Sequence, residues 1–345
     1  MCLTWRDIEY PMSSLVRSAS LTNYAEVARA AGLDPLALLA DVGLSPACLH
    51  DPDLRIPSDA VRGLLEASAI ASGMDNFGLR MAETRLLSNL GPVALVVREE
   101  PTVRRVVRAL LRYSHVLNES LFAKLDEAEG IAVIREELLV GHGGSSRQAT
   151  ELLVGVMFRN LKFFLGPTWN PLRVCFAHTP PRDPSLHFRM FGYAVDFGQD
   201  FNGLVCTTRD MDAPNPMADP VMARYARQLL EATSGSGRMS AVDGVRNILL
   251  VLLPTGQCSI DQVARQLSVD RRTVHRRLLR EGTTFTEVVN TIRREMAAHY
   301  IDDGTRPLSQ VADLLGFSAL SAFSRWYKQQ FGEAAGRRRR AGPRT

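Results

Sequence analysis

The 345-residue sequence contains no run of about 18 or more apolar residues, so we expect no transmembrane helix and no membrane partner. Its first ten residues, MCLTWRDIEY, include acidic side chains and no apolar core, which argues against a signal peptide. The five cysteines are scattered, with no C-x-x-C pair and no histidine at metal-ligand spacing. Together these absences predict a cytoplasmic protein with reduced thiols.

Catalytic motifs are also missing. We find no glycine-rich phosphate loop, no G-x-S-x-G and no metal-binding spacing of His, Cys and Asp. His178 and His187 flank a proline-rich segment with Asp183, and we interpret them as surface histidines in a loop. Residues 141–146 (GHGGSS) are not followed by G-K-[ST], so they do not predict a phosphate site. We therefore expect no enzyme, no catalytic residue, no metal and no cofactor.

The charge of the chain is divided unevenly. Residues 240–345 contain 17 basic and 10 acidic residues, a net charge of +7, whereas the remainder has a net charge of −3. A basic C-terminal third indicates a polyanionic partner for that part alone. The four arginines at 337–340 belong to this third, and we interpret residues 336–345 as a frayed, solvated tail that attracts phosphates without specificity.

One pattern occurs twice in this basic region, from residue 259 and again from residue 308. Each copy has a short amphipathic helix with a Val-Ala pair, then an apolar position, a tight turn and a second helix with arginine on one face. This is the layout of a helix-turn-helix, whose second helix enters the DNA major groove. A connecting helix predicted over 285–301 spans about 25 Å, which suits successive major grooves. Arg293 and Arg294 on it either contact phosphates or form internal ion pairs.

The first recognition helix is predicted over 271–281, with Asp270 as its N-cap and Gly282 just beyond its end. Val274 and Leu278 have the spacing of inward-facing residues. The outward residues are assigned to bases (Arg272, His275 and Arg276) or to phosphates and solvent (Arg271, Arg277 and Arg280). The alternative is a solvated basic face that contacts phosphates only.

The second recognition helix has fewer side chains suited to reading bases. We expect Ser318 to cap it, and Phe323 and Tyr327 to pack inward. The base-contact candidates are Leu320, Ser321, Ser324 and Arg325, while Lys328 is assigned to a phosphate. Weaker base discrimination is therefore expected in this unit.

The first two-thirds of the chain predicts a mixed α/β domain in which helices outnumber strands. Residues 15–90 are predicted to be helical, with Ser58 capping one helix. Further elements are a β-hairpin over 120–140, an apolar helix over 147–165, a strand over 171–178, one or two strands within 194–207 and a helix over 221–232. We divide the chain into a domain at 1–232, a flexible TSGSG linker, an all-α domain with two helix-turn-helix units at 238–335, and the tail.

Specific strings carry a resemblance to a known family. The C-terminal region, with VARQLSVDRRTVHRRLLREGTTFTEVVNTIRREMAAHYI and then LSQVADLLGFSALSAFSRWYKQQFG, resembles the AraC/XylS family of bacterial transcription regulators. The strings AGLDP, NFGLRMA, LGPVALVVRE and FGYAVDFG resemble the arabinose-binding-type N-terminal sensor domain of one subgroup. The resemblance implies a cytoplasmic, usually dimeric regulator, an activator that contacts promoter DNA and RNA polymerase. One departure is EAAGRRRR after the final F-G, where the family has a proline, so the last helix is expected to fray or to pack differently.

Two hypotheses remain for the N-terminal domain. In the first it binds a small-molecule effector in an apolar pocket, lined by the helix at 154–165 and the strand at 174–176. In the second it is only a dimerisation platform, and the regulator acts without a ligand. The sequence does not decide between a pocket and a simple core at these positions.

Overall fold

The computed structural model describes residues 14–138, 145–192, 194–233, 241–253, 258–267, 269–304 and 306–341. In the N-terminal part, helices outnumber strands, as predicted. These helices are α1 (Tyr24–Ala30), α2 (Pro35–Asp41), α3 (Ser58–Ser72), α4 (Phe77–Glu83), α5 (Pro92–Arg98), α6 (Val103–Arg112), α7 (Ser114–Leu117), α8 (Arg147–Leu165), α9 (Ser185–Phe191), α10 (Thr208–Asp212) and α11 (Pro220–Thr233).

Two sheets accompany these helices. The strands are β1 (Leu15–Arg17), β2 (Arg55–Pro57), β3 (Leu121–Ala128), β4 (Ile131–Leu138), β5 (Arg173–Phe176), β6 (Val195–Phe197) and β7 (Gly203–Thr207). β1 pairs with β2, and the other five form one sheet in the order β3-β4-β7-β5-β6, in which only β5 and β6 run parallel. The predicted hairpin is confirmed, and its turn is made by Glu129 and Gly130, both at positive φ.

The prediction that residues 15–90 are entirely helical is wrong at β1 and β2. Each of these strands has three residues, which is too short for an alternating pattern to be visible in the sequence. The predicted Ser58 cap is also wrong, because Pro57 occupies the N-cap position of α3. The Ser58 hydroxyl instead donates to the Ser14 carbonyl at 2.9 Å, and so ties α3 to the segment before β1.

Helices are the only regular elements among the residues described in the C-terminal part. Its helices are α12 (Ala241–Leu252), α13 (Ile260–Gln266), α14 (Arg271–Arg280), α15 (Phe285–Asp303), α16 (Leu308–Leu314), α17 (Leu320–Phe331) and α18 (Ala335–Ala341). They enclose a core of their own, with Leu249, Ile292 and Phe323 fully buried. The predicted linker lies almost entirely outside the described residues.

The interpretation of residues 336–345 as a frayed tail is wrong for the part described. Residues 335–341 form α18, and Ala335 is buried against the rest of the helical core. The sequence EAAGRRRR therefore continues the fold with a helix, because its alanine can pack inward even without the proline of the family pattern. The four arginines are displayed on an ordered helix rather than on a loose end.

Candidate nucleic-acid interface

The first helix-turn-helix unit consists of α13 and α14, and α14 begins where the sequence predicts. Asp270 precedes α14 and accepts hydrogen bonds from the backbone N–H and the hydroxyl of Thr273, at 2.7 and 3.0 Å. The bond from the Thr273 backbone N–H holds the pKa of Asp270 below its usual value, so its negative charge faces the helix N-terminus at neutral pH. Val274 and Leu278 are buried as predicted, and the opposite face of α14 is turned to solvent.

The outer face of α14 carries five exposed side chains at helical spacing of three and four residues. They line one shallow surface: Arg272, His275, Arg276, Leu279 and Arg280. The structure thus brings together the three residues predicted to contact bases, and it adds Arg280, which the sequence assigned to phosphates. A helix about 10–12 Å in diameter with three guanidinium groups on one face matches the width and the charge of the major groove.

Two further arginines lie on the flanks of this face. Arg271 and Arg277 are exposed, but neither belongs to the surface just described. Arg271 Nη1 is 3.9 Å from Asp261 Oδ2, and both side chains are largely exposed, so this ion pair contributes little. Phosphates border the groove on either side, and the assignment of both arginines to phosphates stays a prediction.

The second unit consists of α16 and α17, and its helix starts later than predicted. Ala319 is the N-cap of α17 and no side chain caps this helix, so the predicted Ser318 cap is wrong. The hydroxyl of Ser318 lies one residue too early to reach the free N–H groups at the N-cap position. Phe323 and Tyr327 are buried as predicted.

The outer face of α17 repeats the geometry of α14. Its buried pair is again spaced by four residues, and the exposed positions that correspond to those of α14 are Ser321, Ser324, Arg325, Lys328 and Gln329. Leu320, the first residue of the helix, is 42% exposed. The outer face of α17 has two cationic side chains, whereas that of α14 has three arginines and a histidine, so the α17 face carries less positive charge.

Sequence reasoning missed one residue on each outer face. Leu279 is 63% exposed beside Arg276, and Gln329 is exposed beside Arg325. An apolar side chain can contact a thymine methyl group, and a glutamine can pair with adenine N6 and N7. Both positions could have been predicted from helical periodicity. Leu279 lies four residues after His275, and Gln329 lies four residues after Arg325, so each shares a helix face with a predicted contact.

The two units are held together by α15, whose 19 residues span about 28 Å. Arg293 makes contacts within the domain. Its Nε donates to the Leu315 carbonyl at 2.9 Å, and its Nη2 donates to the Gly316 carbonyl at 3.2 Å. Its guanidinium also lies 4.3 Å from the centre of the Phe317 ring. Arg294 is exposed and donates to Thr291 at 3.1 Å. Arg293 therefore fixes the turn of the second unit to the connecting helix.

Comparison with known proteins matches two regions of the chain to family models. Residues 32–215 match the arabinose-binding domain of AraC transcription regulators, N-terminal, and residues 263–341 match a helix-turn-helix domain. The VirS transcriptional regulator of Mycobacterium tuberculosis is 31% identical over 323 residues, which cover 93% of this chain and 95% of VirS. This chain belongs to the AraC family of transcription regulators.

Two other similarities extend over most of this AraC-family chain. The ornithine utilization regulator of Pseudomonas aeruginosa is 26% identical over 306 residues, 88% of this chain and 89% of that regulator. A crystal structure of the regulator CdpR from the same organism covers 89% of this chain and 96% of its own, with 21% identity and a TM-score of 0.44. The family establishes a DNA-binding transcription regulator rather than an enzyme. None of the helices in the described ranges is long and apolar enough to cross a membrane.

In the N-terminal domain of this AraC-family regulator, the interpretation of His178 and His187 as surface histidines is wrong. His187 is fully buried on α9, and the side chain of His178 is only 16% exposed, so neither is a surface histidine in a loop. Both imidazoles point to Glu151 on α8, which is itself fully buried. No sequence pattern reveals this cluster, because Glu151 is 27 residues from the nearer of the two histidines.

The residues proposed to line a pocket are mostly core. Val154, Phe158 and Leu161 of α8 are at most 1% exposed, and so are Val174 and Phe176 of β5. They pack in the hydrophobic core between α8 and the five-stranded sheet. These positions thus support the alternative that the sequence left open, a packed core.

Exposed apolar side chains gather elsewhere, along α11 and the neighbouring α5. They border a groove of about 600 Å³ that also contains Arg98 and Asp219. The apolar residues that are 43–55% exposed there are Leu95, Met217, Met222, Tyr225 and Leu229, and Val221 adjoins them. We call this surface the α5–α11 face. Exposed apolar patches are a common feature of interaction surfaces.

The hairpin of the N-terminal sheet contacts the DNA-binding helices. Glu137 on β4 accepts a hydrogen bond from the Tyr300 hydroxyl at 2.9 Å, and its carboxylate is 3.2 Å from Arg306 Nη2. Phe122, which lies opposite Glu137 in the hairpin, is buried in the C-terminal core. Burial, followed by the nearby Glu137 charge, raises the pKa of Tyr300 well above its usual value. We call these four residues the hairpin contact.

Proposed function

We propose that this regulator reads specific promoter sequences by placing α14 and α17 in successive major grooves of one DNA segment. The observation that carries the proposal is the outer face of α14, where three arginines, a histidine and an exposed leucine share one surface. The proposed base contacts are Arg272, His275, Arg276, Leu279, Leu320, Ser321, Ser324, Arg325 and Gln329. The proposed phosphate contacts are Arg271, Arg277, Arg280 and Lys328, with Arg280 close enough to the first group to serve either role.

Two neighbouring arginines of α14 test this proposal. Arg276→Ala should weaken binding to the cognate promoter by about 1–3 kcal/mol, roughly 5- to 150-fold, with a much smaller effect on random DNA. Arg277→Ala is the matched control, since it removes the same charge from the flank of the same helix. It should weaken both DNAs alike and reduce the salt dependence by one phosphate contact. Equal losses on both DNAs for Arg276→Ala would make that residue a phosphate contact.

We propose further that the protein acts as a homodimer joined through the α5–α11 face. The face combines exposed apolar side chains with Arg98 and Asp219, whose opposite charges can pair across a two-fold axis. Because α11 ends at Thr233 and α12 begins at Ala241, a dimer formed there keeps two DNA-binding domains close together. Two-fold regulators bind paired half-sites in this way.

A charge placed in the α5–α11 face tests the dimer. Tyr225→Glu should convert a dimer to a monomer in sedimentation velocity at micromolar concentration, because it buries a carboxylate in an apolar interface. Ile70→Glu is the control, since Ile70 is an equally apolar residue on α3 that is 81% exposed and outside this face. A wild-type monomer that binds its promoter at full affinity would refute the dimer.

The N-terminal domain is proposed to sense a small molecule and to pass the signal through the hairpin contact. The support is the connection of elements: β4 carries Glu137 and leads, after residues 139–146, into α8 with its buried charged cluster. A ligand must favour one arrangement of the hairpin contact over another to change promoter occupancy or recruitment of RNA polymerase in the bacterial cytoplasm. Promoter footprinting with and without a bound ligand tests this, and an unchanged footprint and unchanged transcription would favour a ligand-independent regulator.

A further inference from the structure

Buried polar atoms without a hydrogen-bond partner are concentrated at one place in the N-terminal domain. Fifteen such side-chain atoms occur among the described residues, and five of them belong to Arg147, Glu151, His178 and His187. An unsatisfied buried polar group destabilises a fold, so proteins rarely retain several together unless another molecule supplies their hydrogen-bond partners. This cluster lies between α8, the end of β5 and α9.

The geometry centres on the carboxylate of Glu151. Its Oε1 accepts a hydrogen bond from Arg147 Nε at 3.1 Å and lies 3.2 Å from His187 Nε2 and 3.4 Å from His178 Nε2. The second oxygen, Oε2, has no partner, and neither ring nitrogen of His187 makes a hydrogen bond. Glu151 and His187 are fully buried, whereas the side chains of His178 and Arg147 are 16% and 21% exposed, so the cluster meets solvent beside these two residues.

The tautomer of His178 makes the cluster rich in acceptors. Its Nδ1 is 2.9 Å from the Thr179 carbonyl, and a carbonyl oxygen can only accept, so Nδ1 carries the proton. Burial lowers the pKa of His178, which keeps the ring neutral at pH 7 and leaves a lone pair on Nε2. That lone pair faces a carboxylate oxygen of Glu151. Two acceptor atoms only 3.4 Å apart repel each other unless a hydrogen-bond donor or a cation contacts both of them.

Aromatic rings indicate which donor fits. The centre of the Phe197 ring is 5.3 Å from that of His187 and 5.7 Å from that of His178, and the Phe176 ring is 5.7 and 5.0 Å away. A carboxylate, imidazole lone pairs and aromatic faces together suit an organic ammonium group. No group of three or more His, Cys, Asp or Glu in the described ranges has the geometry to hold a metal ion.

We propose that Glu151, His178 and His187 form a binding site for the primary ammonium group of a small molecule. The ammonium N–H groups donate to Glu151 Oε2, to His178 Nε2 and to the ring nitrogen of His187 that carries a lone pair. Phe176 and Phe197 provide apolar contacts for the adjoining carbon. This names the chemical class of ligand for the sensor role proposed above and rests on it, although the binding itself is independent of DNA.

Calorimetry on the full-length protein at pH 7.5 tests the site with three probes of equal length: n-butylammonium, 1-butanol and butyrate. Butylammonium should bind with saturation and at least about 10-fold more tightly than the other two, as expected for charge-assisted hydrogen bonds. Glu151→Gln should weaken it by about 10-fold or more. Glu136→Gln is the matched control, since Glu136 is another buried glutamate with an unpartnered oxygen, and it should bind as the wild type does.

Several outcomes would overturn the proposal. They are equal binding of the three probes, full binding by Glu151→Gln, or Glu151-dependent binding of Zn²⁺ in place of the amine. If Glu151→Gln does not fold, His178→Leu at the partly exposed position should still weaken butylammonium severalfold, and unchanged affinity there would refute the site. An amine that binds through Glu151 without altering promoter occupancy would refute the sensor role and leave the site intact.

Discussion

Among the glycines described in the DNA-binding domain, Gly316, in the turn of the second helix-turn-helix, should be the hardest to replace. Its φ is +69°, in the left-handed region, and a Cβ placed on it would lie 2.5 Å from the Leu253 carbonyl oxygen. Gly282 offers a matched comparison, because its φ is +75° but nothing lies within 4 Å of a Cβ there. Alanine at Gly282 therefore carries only the left-handed backbone cost of about 1–2 kcal/mol.

Gly316→Ala carries the same backbone cost and in addition an overlap with main-chain atoms. Forcing extra volume into a packed region costs typically 1–3 kcal/mol, so the total loss of stability should be about 2–5 kcal/mol. Arg293 donates to the carbonyls of Leu315 and Gly316, so a displaced turn also loses these hydrogen bonds.

Hydrogen exchange of the full-length protein measures the difference where it arises. The amides of α16 and α17 should open with a free energy lower by at least about 1 kcal/mol in Gly316→Ala than in Gly282→Ala. Cognate promoter binding should fall in parallel. Equal opening free energies in the two variants would show that the turn accommodates the added methyl group without loss of stability, and the prediction from the Leu253 contact would be wrong.

Three further predictions concern buried charges. Burial raises the pKa of Glu136 to about 8, so the folded protein retains a proton that the unfolded chain loses above about pH 4.5. The free energy of unfolding should therefore fall as the pH rises from 4.5 toward 8. Chemical denaturation of Glu136→Gln over the same pH range should show a smaller fall. A double-mutant cycle with Glu137→Gln and Arg306→Gln should give a coupling energy of about 1 kcal/mol or more, whereas no coupling would mean that the hairpin contact does not form in solution. Arg293→Lys should destabilise the domain by about 1–2 kcal/mol in urea unfolding, since lysine cannot reach two carbonyls and cover Phe317 at once; unchanged stability would contradict this role.

The recognition helices were predictable because their signals are local. Asp270 caps α14 within one turn, and Val274 and Leu278 reveal the inner face by a spacing of four residues. The outer face then follows from the same periodicity, and Leu279 and Gln329 lie on it, three residues after Arg276 and four residues after Arg325. Ser318 failed as a cap because a shift of one residue in a helix start is not visible in composition.

The N-terminal features were hidden because they depend on distant contacts. Glu151 meets His178 and His187 only after α8, β5 and α9 have packed, and Glu137 meets Tyr300 across more than 160 residues of chain. Periodicity identifies a buried helix face but not the polar partner that a buried residue will find. The helix α18 was missed for a related reason, since a run of arginines suggests a solvated tail until the packing of Ala335 is known.

Selection of binding sites from random DNA by the full-length protein tests sequence-specific recognition most directly. Two enriched elements should emerge about one helical turn, or 10–10.5 base pairs, apart, and the element bound by α14 should be the more sharply defined. The Arg276→Ala protein should lose preference at particular positions of that element while keeping the spacing. A pool that shows no enrichment, with salt-dependent binding that is equal for all sequences, would contradict base recognition by the α14 face.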